Sequence, residues 1–97
     1  MATYIALTNF TDQGIRNIQD TTKRAAAVRK MAKKFGVTMK EIFWTLGSFD
    51  MVVVFEAKDA ASMTALGLSL GKAGNVRTQT LRAFSADEMD GILAKMA

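Results

Sequence analysis

The stretch LGSFDMVVVFEAKD, residues 46–59, determines the expected fold. A glycine and a serine come before Phe49, and Asp50 then precedes a run of five apolar residues, Met51–Phe55. A strand with one face in water alternates apolar and polar side chains, and this run does not. We therefore predict that the run is a central strand of a sheet, with both of its faces covered.

The segments around this run predict a β-α-β-β-α-β-α order. β-branched and aromatic residues mark the strands, and the short Gly47-Ser48 turn joins the second strand to the third. Asp59 is expected to cap the second helix, and Ser85–Glu88 is a capping box that opens a short third helix. The predicted strands are residues 3–10, 37–46, 49–57 and 75–84, and the predicted main helices are residues 11–35 and 59–74.

This order is the split βαβ arrangement of the ferredoxin-like fold, which belongs to the α+β class. We expect one domain spanning residues 1–97, since proline and low-complexity linkers are absent. Right-handed crossovers place both main helices on one face of a four-stranded antiparallel sheet and leave the other face bare. A second copy related by a twofold axis is the simplest cover for that face.

The hairpin of the second and third strands predicts which side chains point to the bare face. If Leu46 lies opposite Phe49, alternate pairs of side chains point to the helices and to the bare face. The helix-facing pairs are then Trp44–Met51, Ile42–Val53 and Lys40–Phe55. The bare-face pairs are Thr45–Asp50, Phe43–Val52 and Glu41–Val54, so the candidate dimer-face residues are Phe43, Val52 and Val54.

The composition limits the chemistry that the chain can perform. It has no cysteine and no histidine, and so it lacks disulfides, thiolate ligands and the commonest general base. We predict no metal site and no cofactor. No apolar stretch is long enough to span a bilayer, and polar residues follow the N-terminus too soon for a secretory signal. We expect a cytoplasmic protein that makes no contact with a membrane.

Three segments together resemble the small bacterial GYD-domain family: YIALTNFTDQGIRNI, LGSFDMVVVFEAKD and ALGLSLGKAGNVRTQTLRAF. The resemblance covers nearly the whole chain and is most specific over residues 74–84. It implies a dimeric α/β barrel of ferredoxin-like topology whose biochemical role is uncharacterised. Gly47 and Asp50 match the glycine and the aspartate of the family motif, whereas Phe49 replaces its tyrosine. The resemblance therefore implies no role that needs a phenol at this position.

Four residues are candidates for binding a small molecule: Trp44, Thr45, Asp50 and Arg77. Asp50 could have a raised pKa and accept a proton, or it could fix the hairpin by accepting hydrogen bonds from turn amides or from Thr45. Arg77 could bind a carboxylate or a phosphate, or it could protect an edge strand. Trp44 could line a cavity or fill the core. The structural role is the favoured one in each case.

Three functions fit these observations. The leading interpretation is a self-associating, non-enzymatic domain, a homodimer or higher homo-oligomer with a small-molecule pocket or a scaffolding role. The alternative is a small cofactor-independent enzyme, similar to a monooxygenase or an isomerase, that uses a pocket on the bare face. The third is nucleic-acid binding, because the net charge is +4 and four basic residues follow one stripe of the first helix. That stripe lacks aromatic residues and any RNA-binding signature, which makes nucleic acid the weakest of the three.

Overall fold

The computed structural model describes all 97 residues, and the order of their elements confirms the predicted α+β architecture. A 3₁₀ turn at Ile18–Asp20 lies between the first two helices. None of the helices is both long and apolar enough to cross a membrane. The strands are β1 (Ala2–Phe10), β2 (Val37–Trp44), β3 (Met51–Ala57) and β4 (Val76–Ala83), and the helices are α1 (Asp12–Arg16), α2 (Thr21–Lys34), α3 (Ala60–Ala73) and α4 (Ala86–Leu93).

The four strands form one antiparallel sheet in the order β2-β3-β1-β4. The apolar strand β3 is therefore central, as its sequence predicts. The helices α2 and α3 cross over on one face of the sheet, and the molecule is only 18 Å deep in its thinnest direction. This depth corresponds to a single layer of helices on a single sheet. The opposite face of the sheet, which we call the open face, has no covering layer.

The core lies between the sheet and the two long helices. Side chains from the two central strands, such as Ala6 and Phe55, contact Met63 and Leu66 of α3. Phe55 and Leu66 are among the largest side chains that are fully buried. Burying each of them stabilises the fold by about 1.5–3 kcal/mol relative to an exposed position. The core is therefore one-sided, because every one of these side chains points toward the helices.

The hairpin register agrees with the prediction except at one residue. Trp44 pairs with Met51 on the helix side, and Phe43 pairs with Val52 on the open face. The predicted partner of Phe55 was Lys40, and this is wrong, because a β-bulge at that position pairs Met39 with Phe55 instead. Apolar residues stand at 37 and 39 and then at 42 and 44. The extra residue of the bulge lets all four point to the helices.

The long first helix that the sequence predicts is divided in two. α1 ends at Arg16, and α2 begins only after the 3₁₀ turn. Gly14 in α1 packs so closely against β4 that a β-carbon there would lie 2.0 Å from the carbonyl oxygen of Asn75. Arg24 then donates hydrogen bonds to the carbonyl oxygens of Asn17 (2.7 Å) and Gly14 (3.1 Å) next to the break. The four-residue spacing of Asp20 and Arg24 predicts an ion pair on one helix, and this pair does not form.

The C-terminal helix α4 extends away from the rest of the molecule. The spacing of Met89, Leu93 and Met96 along this helix predicts that their side chains point inward, and this is wrong, since they are 43%, 50% and 70% exposed. The Cα radius of gyration is 14.5 Å, whereas a compact chain of this length has about 12.5 Å. α4 therefore leaves its apolar side chains without a covering surface in a single chain.

Candidate functional site

The open face carries a contiguous apolar patch across all four strands. Two rows of side chains that run across the strands form this patch. One row contains the β1–β3 pair Leu7 and Val52, and the other contains the pair Ile5 and Val54. Its outermost members are 53% (Phe43) and 48% (Leu81) exposed. We call this set the open-face patch: Ile5, Leu7, Phe43, Val52, Val54 and Leu81. The structure thus places the three candidate dimer-face residues on one continuous surface.

Asp50 joins the ends of three strands. Its carboxylate accepts a hydrogen bond from the backbone N–H of Phe10 at 2.9 Å, and its own N–H donates to the carbonyl oxygen of Thr8 at 2.9 Å. Its carbonyl oxygen accepts from the N–H of Thr45 at 2.8 Å. The side chain is half-buried, and it supplies an acceptor where the backbone ladder between β1 and β3 ends. This arrangement is the structural role that the sequence favoured, although the amide it satisfies belongs to β1 and not to the turn.

The turn before Asp50 depends on its glycine. Gly47 has a φ of +106°, a conformation that favours glycine because other residues have a β-carbon. The hydroxyl of Thr45 donates to the carbonyl oxygen of Phe49 at 2.5 Å and closes the turn. The motif residues Gly47, Phe49 and Asp50 therefore shape the hairpin.

Trp44 points to the opposite side of the sheet from the open-face patch. Its indole N–H donates to the hydroxyl of Thr21, the first residue of α2, at 3.0 Å. The side chain is 42% exposed, so it covers the edge of the helix layer and does not fill the core. Trp44 and the open face are thus separated by the thickness of the sheet.

Arg77 lies on β4, at the far edge of the sheet from β2. Three strand spacings of about 4.8 Å separate the two strands, which places Arg77 about 14 Å from Trp44 and Thr45. Asp50 leads into β3, two spacings from β4, and so lies about 10 Å from Arg77. The structure therefore does not bring Trp44, Thr45, Asp50 and Arg77 together into one pocket. Arg77 is paired in register with Asn9 and forms no ion pair.

Arg82 and a capping box fix the direction of α4. The hydroxyl of Ser85 accepts from the N–H of Glu88, and the carboxylate of Glu88 accepts from the N–H of Ser85. The hydrogen bond from the Ser85 amide and the nearby Arg82 guanidinium hold the pKa of Glu88 below its usual value. Arg82 also lies over the ring of Phe84, with 4.5 Å between the guanidinium carbon and the ring centroid. α4 is therefore held in its extended position by local contacts.

A cavity of about 250 Å³ lies between the sheet and the helices, where the sequence predicted none. It runs under α2 from the end of β1 toward the core, and most of its lining residues are apolar. Small side chains contribute to the space, because Ala25 of α2 and Ala6 of β1 both line it. The alanines at positions 25–27 are the sequence signal that could have indicated a gap here.

The geometry defines a class of protein: a two-layer α+β domain of split-βαβ topology, with one covered and one uncovered sheet face. Comparison with known proteins gives the particular family. The GYD domain matches residues 4–93, so the chain belongs to the GYD-domain family, which confirms the resemblance found in the sequence. A curated relative from Thermus thermophilus is 33% identical over 90 residues, which are 92% of this chain and 95% of the relative. That relative is named "Glutamine synthetase and cystathionine beta-lyase binding protein".

A crystal structure of a Thermus thermophilus protein is similar to this fold. Its TM-score is 0.56 with 23% sequence identity, and the match covers 89% of this chain and 96% of the other. At this identity, the likeness supports the shared fold and nothing beyond it.

Proposed function

We propose that this protein is a non-enzymatic domain that dimerises through its open face and, as a dimer, binds another protein. The open-face patch is the observation that carries the proposal. It covers the middle of the sheet with apolar side chains, and no element of the same chain packs on it. Contiguous apolar surfaces of this kind mark interaction sites in folded proteins.

A second copy of this chain fits the open face in shape. A twofold axis between the two sheets and parallel to their strands sets β2 of one copy over β4 of the other. The apolar rows meet at the centre, where Val54 of one copy packs against the same region of the other. The arrangement shields both apolar faces of β3 from water.

The helix α4 supplies area that the sheet face alone lacks. Four strands about 4.8 Å apart and about 23 Å long present a flat face of about 440 Å². A stable interface buries about 800 Å² on each partner. The exposed apolar side chains of α4 extend the surface beyond the sheet, and packing them on the second copy would provide the remainder. We therefore include α4 in the proposed interface.

The proposed partner of the dimer is an enzyme. The Thermus relative is named for binding glutamine synthetase and cystathionine β-lyase, so these two enzymes are the first candidates for this chain. A non-enzymatic role is supported by the sequence, which has neither histidine nor cysteine. It is also supported by the position of Asp50, whose carboxylate accepts a hydrogen bond from a backbone amide.

The dimer is tested by Val54→Lys, which places a charge at the centre of the open-face patch. Leu68→Lys is the matched control, because Leu68 is 71% exposed on α3, on the other side of the molecule. In sedimentation equilibrium at micromolar concentration, we expect the parent chain and Leu68→Lys to be dimers and Val54→Lys to be a monomer. Circular dichroism checks that both variants are folded. A monomeric parent chain, or a dimeric Val54→Lys, would contradict the proposed interface.

The partner is tested separately with purified glutamine synthetase and cystathionine β-lyase from the organism that encodes this chain. Biolayer interferometry with the immobilised dimer should detect at least one of the two enzymes. The Val54→Lys variant should bind it more weakly, because a monomer loses avidity. If neither enzyme binds a dimer that sedimentation has verified, the choice of partner is wrong and the dimer stands.

A further inference from the structure

The cavity under α2 is polar at one end and apolar along the rest of its length. β1 ends, β4 begins and α2 begins at the same edge of the fold, and this edge forms the polar end. Arg24 and Thr21 line it from the helix, and Thr8 and Thr78, which pair across β1 and β4, line it from the sheet. Deeper in the fold the walls are aliphatic, sulfur-containing and aromatic side chains such as Val53, Met39 and Phe55.

Arg24 brings a fixed positive charge to the polar end of the cavity. Two carbonyl oxygens hold its guanidinium in place, and no carboxylate forms an ion pair with it. A guanidinium has five N–H donors, so three remain available to a ligand. The guanidinium carbon also lies 6.0 Å from the ring centroid of Phe10, another lining residue. The charge is thus held in position and is not neutralised.

Thr8 adds a hydrogen-bonding group that has spare capacity. It is 3% exposed, and its hydroxyl makes only a long hydrogen bond of 3.5 Å to the carbonyl oxygen of Ala6. A hydroxyl can accept two hydrogen bonds in addition to donating one. Its oxygen is therefore able to accept from a polar atom that occupies the cavity.

We propose that this cavity binds a small organic carboxylate, with its apolar body among the aliphatic and aromatic walls and its carboxylate on Arg24. The volume sets the size of the body. A dry apolar cavity of about 150 Å³ holds benzene, so 250 Å³ holds one ring with a short side chain. The charge of Arg24 sets the polar group, because the planar fork of arginine matches a carboxylate. This site is independent of the open face and adds a ligand to the proposed protein-binding role.

Phenylacetate is a suitable probe, and phenylacetamide is its neutral control of the same shape. Three of the seven methionines, Met31, Met39 and Met51, line the cavity. NMR of the full chain with methyl-labelled methionine should therefore show shifts at these three residues and none at Met1, Met63, Met89 or Met96. Phenylacetate should bind about tenfold or more tightly than the amide, as expected for a hydrogen bond to a charged group.

Trp44 offers a second readout, because the only tryptophan is hydrogen-bonded to the cavity residue Thr21. Its fluorescence should change as phenylacetate binds. In Arg24→Gln, the affinity for phenylacetate should fall to the level of the affinity for phenylacetamide. The affinity for phenylacetamide should be the same in Arg24→Gln as in the parent chain. Arg16→Gln is the matched control, since Arg16 is exposed on α1 and does not line the cavity. It should bind both probes as the parent chain does.

A cavity-filling variant completes the test. Ala25→Leu occupies part of the space under α2, and if it is folded by circular dichroism it should bind neither probe. Absence of methionine shifts with phenylacetate at millimolar concentration overturns the site. Equal affinity for the acid and the amide, or phenylacetate binding that survives Arg24→Gln, overturns the assignment of an anionic ligand. Shifts at Met63 and Met89 in place of the three lining methionines also overturn it.

Discussion

Replacing Asp50 tests whether this carboxylate is a structural acceptor. Asp50→Ala removes the group that accepts from the N–H of Phe10 at 2.9 Å, and it leaves that N–H without a protein partner. A hydrogen bond to a charged group contributes about 1.5–3 kcal/mol. Asp50 is half-buried, so water can replace part of the interaction, and we expect a loss of about 1.5–2 kcal/mol in the free energy of unfolding.

Asp50→Asn is the control, because an amide oxygen can still accept from Phe10 although it carries no charge. We expect it to lose less than about 1 kcal/mol, the value of a neutral hydrogen bond. Urea unfolding at one fixed protein concentration measures both changes, since association would otherwise alter the midpoint. The denaturant slope should stay constant, because the change removes one interaction and does not alter the exposed surface.

Two outcomes would refute this account of Asp50. If Asp50→Ala is as stable as the parent chain, the bond to Phe10 contributes nothing to the stability of the fold. If Asp50→Asn is as damaging as Asp50→Ala, the negative charge is needed at this position and hydrogen-bond acceptance does not explain its effect.

Two further predictions concern a close contact and a helix cap. Gly14→Ala should lower the free energy of unfolding by about 3 kcal/mol, since its β-carbon would lie 2.0 Å from the Asn75 oxygen. Gly67→Ala in α3 is the control, because its β-carbon meets nothing within 4 Å, and it should raise the free energy of unfolding by about 0.5–1 kcal/mol. Thermal or urea unfolding measures both changes. An unaffected Gly14→Ala would show that α1 is not held against β4. At the start of α3, the hydrogen bond from the Ser62 amide lowers the pKa of Asp59. The cap therefore stabilises the fold at pH values above the usual carboxyl pKa of about 3.9. This stabilisation is lost as the pH falls through the lowered pKa of the folded state. Stability measured from about pH 5 to pH 3 should therefore fall more steeply for the parent chain than for Asp59→Asn, and parallel curves would contradict the cap.

Much of the hairpin could be predicted from the sequence because its interactions are local. The order of apolar residues sets which face each strand turns to the helices, and a short turn limits the register. The bulge at Lys40 was missed although its signal is present. The spacing of apolar residues changes from Met39 to Ile42, and only an extra residue allows both to face the same layer.

The candidate site was predicted less well, because pockets depend on contacts between distant segments. Arg77 and Trp44 belong to opposite edges and opposite faces of the sheet, and residue spacing along the chain carries no information on that separation. The sequence spacing places Arg24 in an ion pair with Asp20 within one helix. In the structure it instead binds carbonyl oxygens at a helix break and lines a cavity.

The sequence by itself determined the identity and order of the strands, the caps of α3 and α4, and the apolar character of both faces of β3. These features follow from side-chain patterns and from hydrogen bonds within a few residues. The tertiary structure decided where the first helix breaks, which side chains enclose the cavity, and that α4 stays away from its own chain. Each of these depends on contacts across the fold, such as Gly14 against Asn75, whose geometry exists only after the sheet has assembled.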